Sequence, residues 1–164
     1  METSIQAESF PFNLPLQIKC SSANETLTLG ISLAPLLSKG GVVALKGPLG
    51  AGKTCLTKGL AKGLGITEEI TSPTYTIVSE YAAVISGEKI PVYHIDAYRL
   101  RGNDDFSAIG GEEFVFGGGI SIIEWSERIN DFIPAEALRV DIEIIGEDER
   151  HIRVHRDCDE YPGA

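Results

Sequence analysis

The chain has 164 residues and a formal net charge of −10, from 24 acidic and 14 basic side chains. That length suits one domain able to bury a full core without staples, and 43% apolar with 23% charged content is that of an ordinary globular protein. The acidic balance, without a Lys/Arg cluster, disfavours autonomous binding of RNA or DNA, which requires a basic face to neutralise phosphates.

No run approaches the ~18 apolar residues of a membrane span. The N-terminus places acidic and polar residues where a signal peptide carries a basic block and an apolar block, so the cytoplasm is the expected location. Cys20, Cys55 and Cys158 are odd in number, far apart and without a CxxC pair, which suggests neither a disulfide framework nor a zinc site.

In chain order, residues 1–15 read as an N-terminal arm rich in proline and phenylalanine, without periodicity. Ser22 and Glu25 have capping-box spacing ahead of a helix whose apolar face is expected to comprise Leu27, Ile31, Ala34 and Leu37. Pro35 lacks a backbone donor and predicts a kink or early break, and Gly40 and Gly41 end the element. "VVALK" (Val42 to Lys46) reads as a buried strand. "KTCLTKGLAKGLG" sets Leu56, Leu60 and Leu64 on one helical face, with Gly65 as the stop.

"TYTIVSEYAAV" and "KIPVYHIDAY" alternate as two strands joined through "ISGE", and "DDFSAIGGEEFVF" is weakly helical and interrupted by glycine. "GISIIEW" is another buried strand. "SERINDFI" predicts a short helix stopped by Pro134, and "ALRVDIEIIGEDERHIRVHR" a β-hairpin. "DCDEYPGA" (157–164) reads as a disordered tail. Residues 16–156 thus make up one domain.

Between the "VVALK" strand and the helix after it lies "GPLGAGKT", Gly47 to Thr54, which satisfies G-x-x-x-x-G-K-[ST] in the required strand–loop–helix order. Gly47, Gly50 and Gly52 let successive backbone N–H groups curl around a phosphate, and the helix N-terminus adds its positive end. Lys53 would reach the β- and γ-phosphates, and the Thr54 hydroxyl would hold Mg2+. Such a loop needs a carboxylate at a neighbouring strand tip. Glu124 after "ISII" and Asp96 after "VYHI" both qualify, and each has the alternative of a solvated strand end. His94 alone reads as a structural histidine partnered through its ring nitrogens; Arg99 reads as a surface residue or a cation near a γ-phosphate. "TSPTYT" (Thr71 to Thr76) is either a turn or a γ-phosphate switch. Without an N-K-x-D stretch, ATP is the expected nucleotide.

"GPLGAGKT", "SPTYT", "YHIDAYRL" and "IIEW", in this order and spacing, resemble the TsaE (formerly YjeE) family, bacterial ATPases required for threonylcarbamoyladenosine (t6A) modification of tRNA. The resemblance spans Asn24 to Arg156. It implies a single α/β P-loop NTPase domain, whose mixed β-sheet the strand patterns also predict. It implies nucleotide contacts from Gly50, Ala51, Gly52, Lys53, Thr54, Cys55, Trp125 and Arg150, magnesium ligands in Thr54 and Glu124, and catalytic roles for Lys53, Asp96 and Glu124. Ser72 to Tyr75 would form the switch-like loop. The implied partners are TsaB and TsaD, with tRNA engaged only through the complex and no membrane involved. Pro35, the glycine-rich "FVFGGG" and the long arm depart from the family pattern. A small-molecule kinase is the alternative, with "RLRGNDDFSAIGG" as its lid bearing Arg99 and Arg101; a nucleotide-dependent binding switch is a third class.

Overall fold

The computed structural model describes residues 13–37, 40–71 and 77–157. The switch-like loop Ser72–Tyr75 lies outside the described residues, as do all of the arm but 13–15 and all of the tail but Asp157. In chain order the strands are β1 (Leu16–Cys20), β2 (Gly41–Lys46), β3 (Val78–Ile85), β4 (Glu88–Asp96), β5 (Ile120–Glu124), β6 (Leu138–Ile144) and β7 (Arg150–His155). The helices are α1 (Ala23–Leu33), α2 (Lys53–Gly63), α3 (Asn103–Ala108) and α4 (Gly111–Phe116).

The strands form one seven-stranded sheet in the order β1-β7-β6-β2-β5-β4-β3. β2 runs parallel to β5 and β6, and β4 runs parallel to β5, while β3, β7 and β1 join antiparallel. The architecture is therefore the mixed α/β P-loop sheet that the sequence predicts. Central β2 and β5 are covered on both faces, which explains why neither shows a polar–apolar alternation: Val42–Leu45 is a continuous apolar run, and β5 is buried throughout, Ser121 included. The β3–β4 hairpin turns at Ser86 and Gly87, both at positive φ (53° and 80°), as a two-residue turn of this hand requires. β1 had no distinct signature in the sequence; it is five residues long and pairs only with β7.

α1 and α2 cover one face, where Leu29, Leu33, Leu56 and Leu60 meet Val43, Leu45, Ile122 and Val140. On the other face Phe106, Val115 and Ile129 pack on Val42, Ala44, Ile95 and Ile123. Ser126–Phe132 is a 3₁₀ segment with a non-helical Ile129 inside it, rather than the regular helix expected of "SERINDFI". Among the described residues no helix is long and apolar enough to cross a membrane.

α1 begins with the expected cap: the Glu25 amide donates to Ser22 Oγ at 3.2 Å, and the Glu25 carboxylate accepts from the Ser21 amide. The helix stops at Leu33 and tightens into a 3₁₀ turn over Ala34–Leu37, because Pro35 cannot continue the ladder. Its buried face differs from the expected one. Thr26, Leu29, Gly30 and Leu33 face inward, while Leu27 and Ile31 are only partly buried.

The reason is backbone proximity to α2. A Cβ on Gly30 would stand 2.5 Å from the Leu56 carbonyl, and one on Gly59 2.2 Å from the Leu27 carbonyl. Small residues at the crossing, rather than an apolar stripe, fix the rotation of α1. α2 closes with a Schellman motif: Gly65, at φ 81°, donates to Lys62 O and Ile66 to Ala61 O. This crossing sets where the N-terminus of α2 stands.

Gly59→Ala should therefore destabilise the fold by about 1–3 kcal/mol through overpacking, whereas Lys58→Ala, on the exposed side of α2, should shift stability by less than about 0.5 kcal/mol. Urea denaturation measures both. Equal midpoints for Gly59→Ala and the unsubstituted chain would contradict the close helix contact.

Candidate nucleotide-binding site

β2 ends at Lys46, the loop Gly47–Gly52 crosses the carboxyl edge of the sheet, and α2 starts at Lys53. Three glycines serve two needs here. Gly50 and Gly52 take positive φ (79° and 109°), a conformation that costs other residues. Gly47 instead allows close approach, since a Cβ would lie 2.8 Å from the Ile142 carbonyl. The first-turn amides of α2 have no intrahelical acceptor, and the helix dipole places partial positive charge at the same end.

A cavity of about 280 Å³ opens in front of that end, lined by Leu49, Gly50, Ala51, Gly52, Lys53, Thr54, Cys55, Asp96, Glu124 and Trp125. Nine of the residues singled out in the sequence thus share one wall, joined by Leu49, which is 77% exposed at the loop tip. A groove of about 590 Å³ adjoins it across Trp125, touching Gly47 and Pro48 of the loop, and one of about 470 Å³ lies elsewhere; neither is lined by residues of α2.

Lys53 is 5% exposed. Its ammonium donates to the Gly47 and Pro48 carbonyls at 2.6 and 2.9 Å and lies 4.1 Å from the centroid of the Trp125 ring. Burial pushes its pKa down from the ordinary lysine value, opposed by the nearby carboxylates of Glu124, Glu127 and Asp96.

Register puts the two acids side by side, because Asp96 pairs with Glu124 across β4 and β5. They are held differently. Glu124 is buried; its Oε1 accepts the Thr54 hydroxyl at 2.9 Å and its Oε2 lies 2.5 Å from His94 Nε2. Asp96 is half-buried, and one oxygen accepts the Tyr98 amide at 3.0 Å in the turn that follows. A hydroxyl and a carboxylate beside the N-terminus of α2 form an oxygen donor set of the kind that suits Mg2+, which typically takes one or two protein oxygens and completes its shell with other oxygens. Among the described residues no group of three or more His, Cys, Asp and Glu is placed to hold a metal by itself.

Trp125 leaves the β5 tip with φ 59°, an uncommon left-handed conformation for so bulky a residue. The turn is pinned by Ala97 N–H donating to Glu124 O at 3.0 Å and by Ser126 Oγ donating to Leu45 O at 3.2 Å. The half-buried indole has the Lys53 ammonium against it, Tyr98 tilted at 4.9 Å and the Arg128 guanidinium at 5.6 Å. No site role was assigned from the sequence to Tyr98 or Arg128; Tyr98 does stand in the "YHIDAYRL" motif, whereas Arg128 has only its closeness to the Glu124 strand tip as a signal.

Cys55 donates its thiol to the Ala23 carbonyl, joining the first turns of α1 and α2, and burial raises its pKa. Arg150 does not line the cavity. Its guanidinium donates to Ala51 O (3.0 Å) and Gly50 O (3.3 Å) in the loop, and to Gly146, Glu147 and Glu149 carbonyls in the β6–β7 turn. A trans peptide opposes its C=O and N–H, so fixing the Ala51 carbonyl also fixes the direction of the Gly52 amide. Arg99 is exposed. Arg101 pairs with Asp105, and Phe106 of the same segment is fully buried 4.9 Å from Phe132, which anchors the stretch considered as a kinase lid.

The family model for "Threonylcarbamoyl adenosine biosynthesis protein TsaE" matches residues 20–152. A relative from Treponema pallidum, named tRNA threonylcarbamoyladenosine biosynthesis protein TsaE, is 43% identical over 133 residues, covering 81% of this chain and 95% of its own length. The Bacillus subtilis protein of the same name is 40% identical, covering 83% of this chain and 84% of its own. Among solved structures, the crystal structure of Bacillus subtilis YdiB superposes with a TM-score of 0.67 at 37% identity, covering 85% of this chain and 83% of that one.

Arg150→Gln should loosen the loop: amide hydrogen exchange across 47–54 in the ligand-free protein should speed up several-fold, with a stability loss of about 1–3 kcal/mol from the unpaired carbonyls. Wild-type exchange rates in the variant would contradict the clamp.

Proposed function

The chain belongs to the TsaE family, and from that premise we propose that it is a cytoplasmic, magnesium-dependent ATPase that supports t6A modification of tRNA as a subunit of a complex with TsaB and TsaD. The observation that carries this reading is the convergence of Lys53, Thr54, Asp96 and Glu124 on one cavity at the N-terminus of α2. The acidic charge agrees with a subunit that leaves tRNA to its partners.

In this reading the loop amides and the helix end bind the phosphates, and Lys53 exchanges its contacts with the Gly47 and Pro48 carbonyls for the β- and γ-phosphates. Thr54 and Glu124 would hold Mg2+, which would supply positive charge against the phosphates. Asp96 has a second carboxylate oxygen beyond the one engaged by Tyr98, and orients the attacking water with it. Among the described residues that line the cavity Lys53 is the only Lys or Arg, so no arginine finger stands among them and slow turnover by the isolated chain follows.

Phosphate release measured on the chain alone and with TsaB and TsaD tests this. A slow basal rate rising at least ten-fold with partners is expected. Asp96→Asn should bind ATP within about two-fold of the unsubstituted protein yet lose most stimulated turnover, a barrier change of roughly 2–3 kcal/mol for a 30- to 100-fold loss. Fast basal turnover unaffected by partners, or normal turnover in Asp96→Asn, would overturn the respective part. Because the Trp125 indole contacts Lys53, MgATP or MgADP should change its emission saturably. An unmoved signal at confirmed binding would detach Trp125 from the site.

A further inference from the structure

His94 lies on β4 with 1% of its surface exposed, on the same face as the buried Val92 and Ile122. Its register partner on β5 is Ile122, so it meets Glu124 diagonally, on the face that α2 covers. Its Nε2 is 2.5 Å from Glu124 Oε2. Its Nδ1 is buried and has no hydrogen-bond partner among the described residues. Neutral imidazole carries one N–H, and a carboxylate accepts but does not donate when ionised. Of the two neutral tautomers, the one with its proton on Nε2 donates to the ionised Glu124 carboxylate, whereas a proton on Nδ1 has no acceptor among the described residues.

A carboxylate at a strand tip rotates about its terminal bond unless both oxygens are engaged. Here both are. Oε2 accepts from His94 and Oε1 from the Thr54 hydroxyl at 2.9 Å, so one chain of contacts runs from β4 through β5 to the first turn of α2. A burial cost for Nδ1 is tolerated to keep this orientation.

We propose that His94 is a positioning residue for the magnesium site: its Nε2–H fixes the Glu124 carboxylate so that the Thr54–Glu124 oxygen pair stands formed before the nucleotide arrives. Such outer partners of ligating carboxylates are worth 10- to 100-fold in metal affinity when removed. The inference rests on the reading of Thr54 and Glu124 as magnesium ligands. It concerns the metal and not the phosphate cradle, which the loop and Lys53 supply without His94.

That separation makes it testable. Binding of a fluorescent ADP analogue is titrated in EDTA and across a magnesium series for the unsubstituted protein, His94→Met and His94→Gln. His94→Met should weaken magnesium-dependent binding by about 10- to 100-fold while affinity in EDTA stays within about two-fold. Glutamine carries an amide N–H at nearly the position of Nε2, and His94→Gln should recover at least part of the loss. Unchanged magnesium dependence in His94→Met overturns the inference, as does an equal loss in EDTA, which would make His94 a general support of the pocket. If the unsubstituted protein itself shows no magnesium dependence, the magnesium-site reading fails, and the inference with it.

Imidazole nitrogen NMR of the unsubstituted, ADP-bound protein gives an answer even if the variants do not fold. A neutral ring protonated at Nε2, with a resonance that moves on adding Mg2+, is expected. A ring protonated at Nδ1, or a resonance that stays still, overturns the proposal.

Discussion

The 2.9 Å contact between the Thr54 hydroxyl and the Glu124 carboxylate ties together two elements far apart in sequence, and much of the fold can be read as what that contact requires. β5 must lie directly beside β2, in parallel and in a register that brings Glu124 level with Leu45. α2 must begin immediately beyond the β2 edge, with its first turn over the β5 tip. Glycines at the α1–α2 crossing set the height of α2 on the sheet, and the Arg150 guanidinium fixes the loop between from its outer side. An oxygen pair at the end of a helix dipole is useful only if both groups are held to within a fraction of an ångström. Helix, loop and sheet each supply part of that restraint.

Local rules are broken where this restraint is greatest. Trp125 occupies a left-handed conformation that costs about 1–3 kcal/mol. Lys53 is buried, and His94 keeps a ring nitrogen without a partner among the described residues. Each departure is coupled to another: the Trp125 conformation brings its ring to the Lys53 ammonium, an attraction of roughly 0.5–2 kcal/mol, and the half-satisfied histidine orients the carboxylate opposite. Consistency of local and global preference elsewhere in the sheet sustains these strained positions.

The strand–loop–helix around Lys53 was legible because its glycines and its Lys-Thr pair sit at fixed sequence spacing, and β5 because three isoleucines and one serine, all buried, precede Glu124. The parts that were not legible depend on contacts between distant segments. The inward face of α1 includes Thr26 and Gly30, chosen by the close approach of α2, and an apolar count cannot see small or polar residues. His94 read as an isolated structural histidine because its partner is 30 residues away on a neighbouring strand. The Arg150 contacts with Gly50 and Ala51 span about a hundred residues, and no local pattern encodes them. β1 is short, and only its pairing with β7 identifies it.

The central claim is that Gly47–Thr54 is a working phosphate cradle whose cation is Lys53. Calorimetric titration of MgATP into the unsubstituted protein and into a folded Lys53→Ala variant tests it most directly. Saturable one-site binding to the former and a loss of at least about 100-fold, close to 3 kcal/mol, in the latter are expected. Undiminished affinity in Lys53→Ala would contradict it.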